Sequence, residues 1–181
     1  MSKPTKECPN PERWRCEDGY SSELETVEFL EALVNLVKPK VIVETGSYLG
    51  FATFHLARPQ IGTVFTAELD PTYLKEAMDR CLELGNVHGY CLGGDKLIEK
   101  IGLPIDLAFL DSGVDDSRVN EMKALKGPMK LSAGAIVLVH DTNSGDHAGH
   151  RKRIYDAADA LGFVRVQFNT PRGLTMLQEK T

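Results

Sequence analysis

Residues 40–57, Lys-Val-Ile-Val-Glu-Thr-Gly-Ser-Tyr-Leu-Gly-Phe-Ala-Thr-Phe-His-Leu-Ala, constrain the fold more than any other stretch of the chain. The β-branched run Val41, Ile42, Val43 reads as a short buried strand. An acidic residue, Glu44, a glycine turn and a helix over 50–58 follow it. The spacing Glu44-x-Gly46-x-x-x-Gly50 allows the backbone to lie close against a ligand, and the helix beyond it opens with free N–H groups.

From this unit onward, strands and helices alternate, the pattern of a parallel sheet covered on both faces. Ahead of it, Leu24, Val27, Leu30, Leu33, Val34 and Val37 form an apolar stripe at helical spacing, with Ser21 or Ser22 as the cap and Pro39 as the stop. After it, strands are expected at 63–67, 88–91, 105–110 and 135–139, and helices at 71–84, 96–101, 117–126 and 148–161. The near-continuous apolar run Ile105–Leu110 suits a central parallel strand. Two last strands, 163–168 and 174–178, flank the turn Thr170-Pro-Arg-Gly173 and make an antiparallel hairpin. The expected architecture is α/β: a doubly wound, mostly parallel, seven-stranded Rossmann-like sheet with an antiparallel last strand. Residues 1–20, with Trp14, three prolines and no periodicity, read as an arm ahead of a single domain over 21–181.

In doubly wound folds, ligands sit outside the carboxyl ends of the strands. A phosphate is the usual guest at a glycine turn leading into a helix, but a carboxylate at Glu44 would repel one. It suits instead a ligand with ammonium and hydroxyl groups. S-adenosylmethionine (SAM), an adenine, a ribose and an amino acid tail without phosphate, is such a ligand. The expected cofactor residues are Glu44, Thr45, Gly46, Ser47, Tyr48 and Gly50 after the first strand, and Glu68 and Leu69 after the second. Gly94 and Asp95 follow the third strand and Asp111 the fourth. Glu68 can accept both ribose hydroxyls. Asp95 stands either as a partner for the adenine amino group or as a helix cap, and Tyr48 as a cover over the amino acid tail or as core packing.

Asp111 and Asp141 each end an apolar strand, and the sheet order brings them together. Two such carboxylates repel unless a cation or a shared proton lies between them. With Thr142 and Asn143 adjacent, a hard divalent ion such as Mg²⁺ is the expected guest. The alternative is that Asp111 touches only the cofactor while Asp141 caps its loop. His140, whose ordinary pKa is near neutrality, is a candidate general base. His147 and His150 are candidates for the mouth of the substrate pocket.

A net charge of −5 over 181 residues, with Arg151-Lys152-Arg153 as the one basic cluster, argues against a nucleic-acid partner. That run reads as a solvated helix face. No apolar stretch approaches the roughly 20 residues needed to span a bilayer. Four cysteines without C-x-x-C spacing read as reduced thiols in a cytoplasmic protein.

Together these segments resemble the class I SAM-dependent methyltransferases, and among them the small-molecule O-methyltransferases of the catechol and caffeoyl-CoA type with their bacterial relatives. Val43–Phe51 resembles the glycine-rich first motif, Phe65–Pro71 the ribose motif, Gly93-Gly-Asp95 the adenine loop and Asp106–Asp111 the fourth motif. Leu138–Asn143 resembles the segment that completes the metal ligands. The resemblance implies transfer of a methyl group to a hydroxyl of a small molecule, with Asp111 and Asp141 in the catalytic site; His140 joins them by its own chemistry, as a metal neighbour or a general base. It also implies a metal held by Asp111 and Asp141 with Thr142 or Asn143. The chain departs from the pattern by having Asp141-Thr142-Asn143 where Asp-Asn is usual, and Val114 where the catechol-type enzymes place a lysine base. Proton removal would then fall to His140, to Asp115 or Asp116, or to a metal-lowered substrate pKa. The acceptor pocket is expected from residues 1–23 and the loops at 112–118 and 142–150, or from a second subunit of a homodimer.

Competing functions are weaker. An NAD-dependent dehydrogenase would want Gly-x-Gly-x-x-Gly at the first turn. A methyltransferase acting on base amino groups would want an Asn/Asp-Pro-Pro-aromatic run where Asp111-Ser-Gly-Val114 stands. A SAM-binding domain without methyl transfer remains the alternative from another class.

Overall fold

The computed structural model of the protein describes residue 16 and residues 20–113, 116–143 and 149–180. The 1–20 arm apart from Cys16 and Tyr20, and with it Trp14, lies outside the described residues, as do Val114, Asp115 and His147.

The chain runs α1 (Leu24–Val37), β1 (Val41–Thr45), α2 (Phe51–Ala57), β2 (Thr63–Glu68), α3 (Pro71–Arg80) and β3 (Val87–Cys91). It continues with α4 (Gly94–Lys100), β4 (Ile105–Leu110), α5 (Ser117–Leu125), β5 (Leu131–His140), α6 (His150–Ala160), β6 (Phe163–Phe168) and β7 (Leu174–Glu179). The seven strands form one sheet in the order β3-β2-β1-β4-β5-β7-β6. All pairs are parallel except those of β7, which is antiparallel to both β5 and β6. This is the doubly wound arrangement expected from the sequence.

Strand alternation sorts the core into two layers. Ile42 faces one side and packs with Val27, Leu30 and Val34 of α1 and Leu56 of α2. Val43 faces the other and packs with Leu97 and Ile98 of α4, Met122 of α5 and Ile154 of α6. α1 starts one residue later than a serine cap requires: Glu23 holds the N-cap position without a side-chain cap bond. The Ser22 hydroxyl is engaged elsewhere, donating to Asp111 Oδ2 at 2.7 Å. Lys38 ends the helix in the left-handed conformation, with Pro39 behind it.

The registers bring the carboxyl ends of the central strands level. Thr45 lies opposite both Ala67 and Leu110, and Leu110 lies opposite Val139. The next residue of each chain segment, Gly46, Glu68, Asp111 and His140, therefore falls on one edge of the sheet. β1 and β4 are neighbours while their crossovers run to opposite faces, so the crevice of the fold opens there.

Candidate active site

Glycine shapes this edge at two positions. Gly46 has φ +77°, and a Cβ there would sit 2.5 Å from the carbonyl oxygen of Asp111. Gly50, φ +79°, lets α2 start against α3, where a Cβ would come within 2.6 Å of Ala77 Cα. Between them Tyr48 takes φ +47°, a conformation a bulky residue adopts only where its surroundings enforce it. Its backbone N–H is the anchor, donating to Glu68 Oε2 at 2.9 Å. Glu68 Oε1 accepts from the backbone of Leu69 and Asp70 at 2.8 and 3.1 Å. The carboxylate is thus fixed by three N–H groups, each oxygen keeping capacity for further donors.

Gly46, Tyr48, Glu68, Leu69, Gly94, Asp95 and Asp111, seven of the expected cofactor residues, border one cavity of about 500 Å³. Asp95 is in the first turn of α4 and does not cap it; Gly93 holds the cap position. The other expected residues play different parts. Ser47 borders a smaller cleft of about 90 Å³ on the far side of Asp111. Gly50 closes the turn. Thr45 points beneath the cavity, its hydroxyl donating to Glu121 Oε2 at 3.0 Å.

Glu44 corrects the reading of the sequence. β1 extends to Thr45, so alternation puts Glu44 on the side of Ile42, under α2, and not at the mouth of the cavity. It is wholly buried and accepts from the hydroxyls of Thr53 and Thr66 at 2.5 and 2.6 Å. Burial outweighs these bonds and pushes its pKa up to about 7. Glu121 of α5 is a residue the sequence did not flag. It borders the cavity, is 1% exposed, and burial likewise pushes it up to about 7.

The cluster around Asp111 and Asp141 differs most from expectation. His140, fully buried, lies with Nδ1 3.0 Å from Asp111 Oδ1 and Nε2 2.8 Å from Glu23 Oε2. Burial opposes its charge, but Asp111, Asp141 and Glu23 raise its pKa to about 10. Both ring nitrogens then donate at neutral pH, which removes His140 as a general base. Arg118, 1% exposed, donates from Nη1 to the His140 carbonyl at 2.5 Å and from Nη2 to the Ser112 carbonyl at 2.6 Å. Nη2 also reaches Asp111 Oδ1 at 3.1 Å and Asp141 Oδ2 at 3.3 Å. Arg172 places Nε 2.6 Å from Asp141 Oδ1 and donates from Nη2 to Asp141 Oδ2 at 3.0 Å. Burial works against Asp141 ionising, yet His140, Arg172 and Arg118 hold it well below the usual carboxylate range. Three carboxylates (Glu23, Asp111, Asp141) thus meet three cations (His140, Arg118, Arg172).

The residues present do not fit a divalent ion. Oxygen and nitrogen atoms of Asp111, His140 and Asp141 do come within 4.8 Å of one another. However, the face of Asp141 is taken by Arg172, Asp111 Oδ1 by Arg118 and His140, and the imidazole nitrogen that would ligate carries a proton. A dication about 5 Å from a guanidinium is repelled by roughly 7 kcal/mol at an effective dielectric constant of about 20, and the two guanidiniums here set that repulsion against the attraction of the two aspartates, whose charge they already balance. Thr142 and Asn143 do not complete a ligand set either. The Thr142 hydroxyl is buried and accepts from Thr175 at 2.9 Å, and Asn143 Oδ1 accepts from Arg151 at 3.0 Å.

Two further expectations are corrected by position. Asp116 is an exposed partner of Arg153 at 3.6 Å and borders neither cavity, so it is no base here. His150 is buried behind Arg118, with Nε2 3.2 Å from Nη1, and not at a substrate mouth. Residues 151–153 are exposed, as a solvated face should be. Cys16, Cys81 and Cys91 are free thiols. No described helix is long and apolar enough to cross a membrane.

No protein-family model and no curated protein matches the sequence. Solved structures do match it in shape. A Podospora anserina methyltransferase with bound S-adenosylhomocysteine (SAH) aligns with TM-score 0.73 and 18% identity, covering 94% of this chain and 87% of that one. An O-methyltransferase of tomaymycin synthesis from Streptomyces achromogenes, in complex with SAM, aligns with TM-score 0.69 and 20% identity over 90% of this chain and 83% of that one. An rRNA methylase from Streptococcus thermophilus aligns with TM-score 0.67 and 18% identity over 87% and 95%. At such identities the likeness is one of fold, and the fold is the seven-stranded, Rossmann-like one of class I SAM-dependent methyltransferases. Because an O-methyltransferase of tomaymycin synthesis and an rRNA methylase share it, it does not choose the acceptor.

Proposed function

We propose that the protein is a SAM-dependent methyltransferase acting on a hydroxyl oxygen of a small-molecule acceptor. The observation that carries this reading is the cavity of about 500 Å³ at the carboxyl ends of the strands, where the backbone at Gly46, the fixed carboxylate of Glu68 and Asp95 converge. Glu68 is held so that its free lone pairs can accept from a ribose diol. Asp95 can accept from an adenine amino group, and the bare Cα of Gly46 leaves room for the cofactor's tail.

When bound there, SAM supplies a methyl carbon carried on a sulfonium sulfur, open to in-line displacement by an acceptor oxygen. Asp111 borders both the large cavity and the small cleft, so its carboxylate is the group positioned to accept the hydrogen of the acceptor's hydroxyl. His140 and Arg118 hold that carboxylate in place, at 3.0 and 3.1 Å from Oδ1. A nucleic-acid acceptor is disfavoured by the net charge of −5.

The test is turnover of SAM to SAH against a panel of hydroxylated compounds, with mass spectrometry locating the new methyl group. A methyl group on oxygen is expected; a product methylated on nitrogen or carbon, or no turnover with any acceptor, contradicts the reading. Asp111→Asn should lower turnover by about 100-fold or more.

A further inference from the structure

Resting on the methyltransferase reading, we propose that the guanidiniums of Arg118 and Arg172 take the place of a divalent ion at this site, so that Asp111 and Asp141 bind none. These cations are built into the fold and do not step aside for a metal.

Arg118 reaches the cluster from α5 and is among the largest fully buried side chains of the protein. Two backbone carbonyls, those of His140 and Ser112, hold its guanidinium irrespective of the charge on either aspartate. Arg172 is not a surface side chain that has wandered in. The turn after β6 docks backbone to backbone on the loop after β5, with Asn143 N–H donating to the Arg172 carbonyl at 2.7 Å and Thr142 N–H to that of Gly173 at 3.2 Å. Any Cβ at Gly173 would collide with the backbone nitrogen of Asn143, so the docking is specific to this sequence. Arg172 Nη1 also donates to the Ser21 carbonyl at 3.0 Å, tying the entry to α1 to the same guanidinium. His140, in turn, is clamped between Asp111 and Glu23.

The alternation of charges accounts for residues that a metal site would leave without purpose. Glu23, buried at the N-cap of α1, faces His140 at 2.8 Å and Arg172 at 3.9 Å and accepts from the Thr26 hydroxyl at 3.1 Å. Asp141 sits at φ +59°, a strained conformation that turns its carboxylate onto Arg172. The departure from Asp-Asn to Asp141-Thr142-Asn143 follows as well, since the Thr142 hydroxyl ties the loop after β5 to Thr175 of β7.

The experiment is a titration of the purified protein with MnCl₂, without SAM, following free Mn²⁺ by electron paramagnetic resonance, alongside Asp141→Asn. We expect either no saturable site up to about millimolar Mn²⁺ or weak sites unchanged in Asp141→Asn. A one-to-one site that Asp141→Asn removes would overturn the proposal. A parallel titration with SAH separates the two ideas. Loss of SAH binding would fail the methyltransferase reading, whereas the Mn²⁺ result speaks only to the cluster. In the turnover assay, activity should persist in excess EDTA; activity lost to EDTA and restored by MgCl₂ would also overturn the proposal.

Discussion

Replacing Glu44 by glutamine should flatten the dependence of stability on pH between about pH 5.5 and 8. In the folded protein Glu44 is fully buried; Thr53 and Thr66 donate to one carboxyl oxygen, and the other has no hydrogen-bond partner. Its pKa rises from 4.5 to about 7, so the folded state holds the proton more tightly than the unfolded chain does. The stabilisation from this group is complete below about pH 4.5 and is lost as pH rises through about 7. In full it amounts to about 3 kcal/mol, of which about 2 kcal/mol falls between pH 5.5 and 8. Glutamine keeps the accepting oxygen but cannot titrate, and its unpartnered NH₂ adds a pH-independent cost of about 1–3 kcal/mol. The slope, not the level, is therefore the test. Urea unfolding followed by circular dichroism at closely spaced pH values should show the wild-type curve falling toward the variant's by about 2 kcal/mol. Glu121 titrates in the same sense in both proteins and cancels from the difference. Parallel curves would refute the reasoning, because they would mean that Glu44 is hydrated or already ionised at pH 5.5.

Two other predictions concern the charged cluster. Arg118→Met leaves Asp111 and Asp141 facing each other with one cation fewer and should cost about 3–5 kcal/mol in urea unfolding; a loss below about 1 kcal/mol would mean that the network does not hold the site. The pKa of His140 is raised from 6.5 to about 10. Its contribution is therefore complete below about pH 6.5 and lost as pH passes about 10, and an alkaline loss of stability there should be absent in His140→Gln.

The fold was largely legible because local rules agreed with the tertiary structure. The run 41–43 between Pro39 and a glycine turn, the apolar run 105–110 and the turn at 170–173 each left one reading, and the sheet was assembled from them. Glu68 and Asp95 were legible because strand ends define the edge on which they lie. The charged cluster was not, because its members are far apart in sequence: Glu23 and His140 meet across 117 residues. A weak signal did exist in α5, where Arg118, Glu121, Met122 and Leu125 share the buried face at helical spacing, and two charged residues on such a stripe call for partners. The pair Asp111 and Asp141 was correctly seen to need positive charge. What the sequence could not convey was that arginines from α5 and from the β6–β7 turn supply it. Glu44 was misplaced by parity, since a strand two residues longer than the apolar run turns the side chain from the cavity into the core.

The central claim, that the cavity beside Gly46, Glu68 and Asp95 is a SAM site, is tested most directly by calorimetric titration of the purified protein with SAH, SAM and NAD. Saturable one-to-one binding of SAH and SAM is expected, and none of NAD. Affinity should fall about 10- to 100-fold in Glu68→Ala as charge-assisted hydrogen bonds are lost. Binding of NAD without SAH, or SAH binding that Glu68→Ala leaves unchanged, would contradict it.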